Sequence, residues 1–161
     1  MKGSKAVLTA LNDVLGGELV GINQYFLHSK MCKNWGYHRL AEHIYKESIG
    51  EMKHASDLTE RILFLEGVPN LQKLGKLNIG ETIPEQLKND LALEYDAVKK
   101  LNKAIALCVA EADNTSRDLL EDILESEEEH VDWLETQLGL IKKLGEAQYL
   151  AEQMRRGHSE T

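Results

Sequence analysis

Two Glu-x-x-His pairs, Glu51/His54 and Glu127/His130, stand out in this chain of 161 residues. Of its six His, only His54 and His130 have a Glu three positions earlier. Each pair is preceded, at the same interval of 33 residues, by a further Glu: Glu18 before the first and Glu94 before the second. The two halves are thus offset by 76 residues at every matching position. Residues three apart on a helix share a face, so each pair can offer a carboxylate and an imidazole to one ion. Such donors, with no thiolate among them, suit Fe or Mn better than a structural zinc, although zinc competes by raw affinity. From composition alone two such pairs would arise roughly one time in ten. The equal offsets raise the pattern above that level, and the hydrophobic register decides it.

Four long segments must carry these residues. In the first, Leu8, Leu11, Leu15, Glu18, Ile22, Tyr25, Ser29 and Cys32 recur at steps of three and four. The second reads Leu40, Ile44, Ser48, Glu51, Ala55, Leu58, Ile62, Leu65, and the third Leu87, Leu91, Glu94, Val98, Leu101, Ile105, Cys108, Ala112. The fourth reads Ser116, Leu120, Ile123, Glu127, His130, Leu134, Gln137, Ile141. Each is the inward stripe of an amphipathic helix with a Glu near its middle. Ser4 can cap the first helix, and Asn34-Trp35-Gly36 ends it. Gly67-Val68-Pro69 ends the second, Pro84 suits the first turn of the third, and Asn114 or Thr115 can cap the fourth. After Gly145 a short fifth helix is expected over about 146–156, with Tyr149, Leu150 and Met154 on it, followed by a frayed tail, GHSET.

The expected organisation is one all-α domain spanning 1–161, with a bundle over about 4–144. The connection 67–83 is longer than a helical hairpin requires. Its Leu71, Leu74, Leu77 and Ile79 are too apolar for a free linker and should pack on the bundle. Extended, about 17 residues reach roughly 55 Å, more than the roughly 42 Å of a 28-residue helix. The segment can therefore cross the whole bundle, leaving the third helix parallel to the second.

Composition closes off other classes. Many Leu, Glu, Lys and Ala with two Pro and two Phe point to helices. A net charge of −8 argues against nucleic acid and favours cations. No run of about 18 apolar residues exists for a membrane span, and the charged N-terminus does not read as a signal peptide. Cys32 and Cys108 lie on inward stripes and read as buried free thiols of a reducing cytoplasm.

Four carboxylates in one apolar core would be prohibitive without compensation, and no Lys or Arg occupies the inner stripes. Two divalent cations would balance them, His54 and His130 remaining neutral. Two Glu, one from each half, can bridge the ions and leave each a His and a terminal carboxylate. The expected reaction is oxidation of two Fe(II) by O₂ or peroxide. Tyr25, two turns beyond Glu18, can hydrogen-bond a ligand carboxylate. Asp90, one turn before Glu94, could orient a ligand His, and Trp133 reads as packing. Met52 falls about 130° from the Glu51/His54 direction on the helical wheel and points outward, with Ile22, Asn23 and Phe26, towards a subunit contact.

A Glu from two helices and a Glu-x-x-His from each of the other two is the established ligand set of ferritin-like di-iron bundles with one long crossover. Over nearly its whole length the chain resembles the bacterioferritins. The likeness rests on Met1-Lys2-Gly3, GINQYFLHSKMCKNWG, ESIGEMKHA, RILFLEGVPNLQKLGKLNIGE and HVDWLETQLGLI. The resemblance implies a cytoplasmic, homo- or hetero-oligomeric shell of 24 subunits storing ferric mineral. It implies ferroxidase ligands at Glu18, Glu51, His54, Glu94, Glu127 and His130. It also implies haem b held by Met52 from each of two subunits, an electron donor for iron release, and a fifth helix lining the shell's four-fold pores. Lys46 and Gly50 offer no ligands for the extra inner-wall metal site of some members. The alternative is a non-storing di-iron oxidoreductase that scavenges peroxide.

Overall fold

The computed structural model describes residues 1–156. The expected tail, Gly157 to Thr161, lies outside the described residues. Five helices follow in order: α1 Lys5–Asn34, α2 His38–Phe64, α3 Ile83–Ala110, α4 Asn114–Leu144 and α5 Glu146–Gln153. The described residues contain no strand.

The helix ends follow from local chemistry. Ser4 caps α1 by accepting from the Val7 amide, and Thr82 caps α3 from Glu85, with Pro84 in the first turn. The fourth helix departs from expectation. Its cap is Asp113, whose side chain accepts from the Ser116 amide, rather than Asn114 or Thr115. A carboxylate at that place also takes the Arg61 guanidinium, 2.8 Å away, which ties the end of α2 to the start of α4. The first three helices stop the same way, with one left-handed residue followed by a backbone bond that reaches back five residues. Those residues are Gly36, Glu66 and Ala112. Ala112, counted on the third stripe above, therefore lies beyond the end of α3. Gly145, at φ 83°, breaks α4 from α5. Tyr149 of α5 is buried, its hydroxyl donating to Gln137, while Met154 is exposed.

The hairpins α1/α2 and α3/α4 are joined by a connection without regular structure, which climbs α1 in the direction of that helix. The amide of Asn70 donates to Asn12, that of Asn78 to Gln24, and that of Gly80 to His28. Helix α3 therefore starts beside the end of α1, runs antiparallel to it, and lies parallel to α2. The apolar residues of the connection split. Leu77 and Ile79 are half-buried, whereas Leu71 and Leu74 are exposed, contrary to the expectation that all four pack on their own bundle.

Buried apolar residues form two clusters. One contains Val7, Leu11, Leu58, Ile62, Leu101 and Leu120; the other contains Tyr25, Leu40, Ile44, Leu87 and Leu134. The four carboxylates occupy the levels between them.

Candidate metal centre

Each of α1 to α4 delivers one Glu to the bundle interior, and Glu18, Glu51, Glu94 and Glu127 are all at most 4% exposed. Their donor atoms form two groups. Glu18, Glu51, His54 and Glu127 lie within 4.8 Å of one another, and so do Glu51, Glu94, Glu127 and His130. Glu51 and Glu127 belong to both. Each group could hold one ion through three carboxylates and an imidazole, with one Glu from each half shared between them. The structure thus brings together all six residues picked out by spacing.

Their electrostatics are those of a site built for cations. Buried oxygens of Glu18, Glu94 and Glu127, and Nδ1 of His54, make no hydrogen bond. A polar atom left so in a protein interior requires an explanation, and a bound ion supplies one. His54 Nδ1 lies 3.0 Å from Glu127 and 3.4 Å from Glu18, close enough for ion pairing although not aligned as a hydrogen bond. Burial opposes charge on His54, but the Glu127 and Glu18 carboxylates outweigh it and push its pKa up to about 10. Burial raises Glu18, with partial relief from His54. Burial together with the neighbouring Glu127 raises Glu94, against the opposing hydrogen bond from His130.

These shifts share one sign. Glu18, Glu94 and His54 all hold protons more tightly in the folded chain than in the unfolded one. Their stabilising contribution is complete below the unfolded values and is lost as pH rises through the folded ones. The metal-free protein should therefore melt lower at pH 8.5 than at pH 6. Saturating Co(II) should raise the melting temperature more at pH 8.5, because binding must displace those protons. A metal increment independent of pH would contradict the protonated centre.

Tyr25, fully buried, donates its hydroxyl to Glu94 Oε1. Burial, then the Glu94 charge, drives its pKa well above the ordinary phenol value, so it stays a donor. His130 Nδ1 contacts the same oxygen at 3.0 Å. Gly21 of α1 makes room for Glu51: a Cβ there would stand 3.2 Å from the Glu51 carboxyl carbon.

Asp90 does not orient a ligand His. Its Oδ1 takes Gln24 Nε2 at 2.8 Å and His28 Nδ1 at 2.9 Å, all three side chains being buried. Because the Gly80 amide donates to His28 Nε2, the ring proton sits on Nδ1 and His28 is neutral. This network, which sequence reasoning missed, locks the end of the connection to α1 and α3. A signal was available in Gln24 and His28, polar residues one turn apart beside the inward stripe, but their partner lies on another helix. Also missed was Glu47, 3.5 Å from His130 and paired with His43 at 3.2 Å. Burial raises its pKa, but His43 and His130 outweigh this and hold it below the usual carboxylate value. Trp133 stacks on His43, ring centroids 3.8 Å apart, as packing. Met52 lies outside the centre and is 59% exposed. Cys32 and Cys108 are buried and unpaired.

Comparison with known proteins gives one consistent result. The model of the ferritin-like domain family matches residues 8–144. Bacterioferritin BfrA of Mycobacterium tuberculosis is 53% identical over 152 residues, 94% of this chain and 96% of that protein. The bacterioferritin of Mycobacterium leprae is 51% identical over the same length and shares. A bacterial ferritin of Synechocystis sp. is 48% identical over 155 residues, 96% of this chain and 99% of its own.

Proposed function

From a chain that belongs to the bacterioferritin family, we propose an iron-storage protein that oxidises Fe(II) at the centre between its four helices and keeps the product as ferric mineral. The observation that carries this reading is the pair of overlapping donor groups, whose buried oxygens have no other partner. In this reading Glu18 and His54 hold one Fe(II), Glu94 and His130 the other, and Glu51 and Glu127 bridge them. Four negative charges then meet four positive ones, with both imidazoles neutral. Bound iron supplies the electrons, one from each ion, to O₂ or peroxide. The protein's part is positional. Tyr25 fixes one oxygen of Glu94 and leaves the other free to bind, Gly21 gives Glu51 room to shift as ionic charge changes, and the apolar clusters above and below exclude bulk water.

The storage shell, its 24 subunits and the electron donor for release come with the same proposal. No described helix is long and apolar enough to cross a membrane, and two unpaired buried thiols suit a reducing cytoplasm. Phe26, Tyr45, Ile49 and Met52 form an exposed stripe on α1 and α2, with the Lys30 ammonium lying over both the Phe26 and Tyr45 rings. A second copy seated there would bring two Met52 thioethers together, and we propose that they hold haem b. The fit rests on a soft sulfur donor standing free amid apolar side chains. Reconstitution with haemin should give a reduced-protein haem spectrum that Met52→Leu abolishes; an unchanged spectrum in the variant would remove Met52 from the role.

Mixing metal-free protein with Fe(II) and O₂, alongside a particle-mass measurement, tests the function as a whole. Rapid oxygen-consuming oxidation by a particle of many subunits is expected, with Glu18→Ala and His130→Ala both slow. A monomer or dimer that oxidises iron but keeps none would favour the non-storing, peroxide-scavenging reading. Undiminished oxidation in both variants would move the reaction elsewhere.

A further inference from the structure

A narrow passage opens between α1 and α3. Its inner part is a cavity of about 20 Å³ against Glu18, Glu94 and Tyr25, walled by Val14, Leu93 and Ala97. That is space for about one water. Outside it lies a wider cavity of about 370 Å³. The two share Gly17, Leu93, Asp96 and Lys100, which therefore form the neck between them. At Gly17 a Cβ would meet nothing within 4 Å, so the missing side chain leaves the neck open.

The neck carries a particular charge pattern. Asp96 and Lys100, one turn apart on α3, pair at 3.1 Å and remain partly exposed. The outer cavity adds Asp13, Lys73 and Lys76. Three ammonium groups thus face two carboxylates, and the mouth offers a divalent cation no attraction. A hydrated divalent ion is also far larger than the single water that fits within. The side between α2 and α4 is the opposite case. There Glu47, its side chain 26% exposed, stands 3.5 Å from His130 and presents negative charge next to the centre.

We propose that the α1/α3 passage admits the small neutral oxidant, hydrogen peroxide being its model, while divalent cations reach the centre by another way. The proposal rests on the reading of the centre as an iron-oxidising site. The step served balances simply. One peroxide takes one electron from each of two Fe(II), its O–O bond breaks, and with two protons it leaves as two waters beside two Fe(III).

Plugging the passage from either wall tests the assignment, with Gly17→Leu at the neck on α1 and Ala97→Leu at the inner cavity on α3; melting curves establish that each variant is folded. Anaerobic Co(II) loading, read from visible ligand-field absorption, should match wild type in rate and final amount. Oxidation of pre-loaded Fe(II) by peroxide in stopped flow should slow at least about tenfold in both variants. Co(II) loading slowed in step with oxidation would make the passage a cation path and overturn the proposal. Unslowed oxidation in two folded variants would overturn it equally. Failure of the underlying reading would look different, since wild-type protein would then show no Glu127-dependent Co(II) spectrum.

Discussion

Glu127→Gln should remove tight binding at both ion positions at once. Glu127 is 1% exposed, belongs to both donor groups, and neither of its oxygens has a hydrogen-bond partner. The amide keeps the shape but removes one of four negative charges and turns a donor nitrogen towards the ions. Loss of a residue that merely supports a metal ligand typically costs about 10–100-fold, so losing a ligand shared by two ions should lower Fe(II) oxidation by more than about 100-fold. Co(II) titration should fall from two tightly held ions per chain to none. Glu18→Gln, which touches only one group, should spare the other ion. The metal-free Glu127→Gln protein should melt close to wild type, because the loss of one of four crowded carboxylates is offset by the loss of the ion pair that Glu127 makes with His54 at 3.0 Å. Two tightly held Co(II) in the variant would refute the bridging role.

Asp90→Ala should produce the largest loss of stability away from the centre. It strips one acceptor from two buried donors, Gln24 Nε2 and His28 Nδ1. An orphaned buried donor costs about 1–3 kcal/mol, so the pair amounts to roughly 2–6 kcal/mol. In a chain of this size that lowers the melting temperature by roughly 10 °C, measurable by calorimetry on metal-free protein. Asp90→Asn keeps an oxygen where both donors point and should recover much of the difference. A loss under about 1 kcal/mol would mean that the network is not a lock.

The six donors were legible in the sequence because a helix turns linear spacing into direction. A Glu flanked by Leu and Ile at steps of three and four has nowhere to point but inward, and two identical offsets place two such sets at one level. The crossover was legible from length alone. Pairings between helices were not. Nothing near Asp90 in sequence announces His28, 62 residues earlier, and a carboxylate one turn before a ligand reads as readily as support for that ligand. The exposure of Leu71 and Leu74 was hidden for a related reason. Apolarity says that a residue seeks cover, not whether the cover belongs to its own chain. Asp113 outcompeted Asn114 as a cap because Arg61 comes to it from the opposite hairpin.

The repeated hairpin also has a bearing on the order of folding. Helices α1 and α2 adjoin in sequence, as do α3 and α4, so each hairpin can form from local contacts, the fast kind. Each brings only two of the four acids with it. The full repulsion arises when the hairpins meet, which is the same event that lays the long connection along α1. Docking is therefore the step that a divalent cation should accelerate, and a chelator should slow it while leaving the early gain of helix untouched.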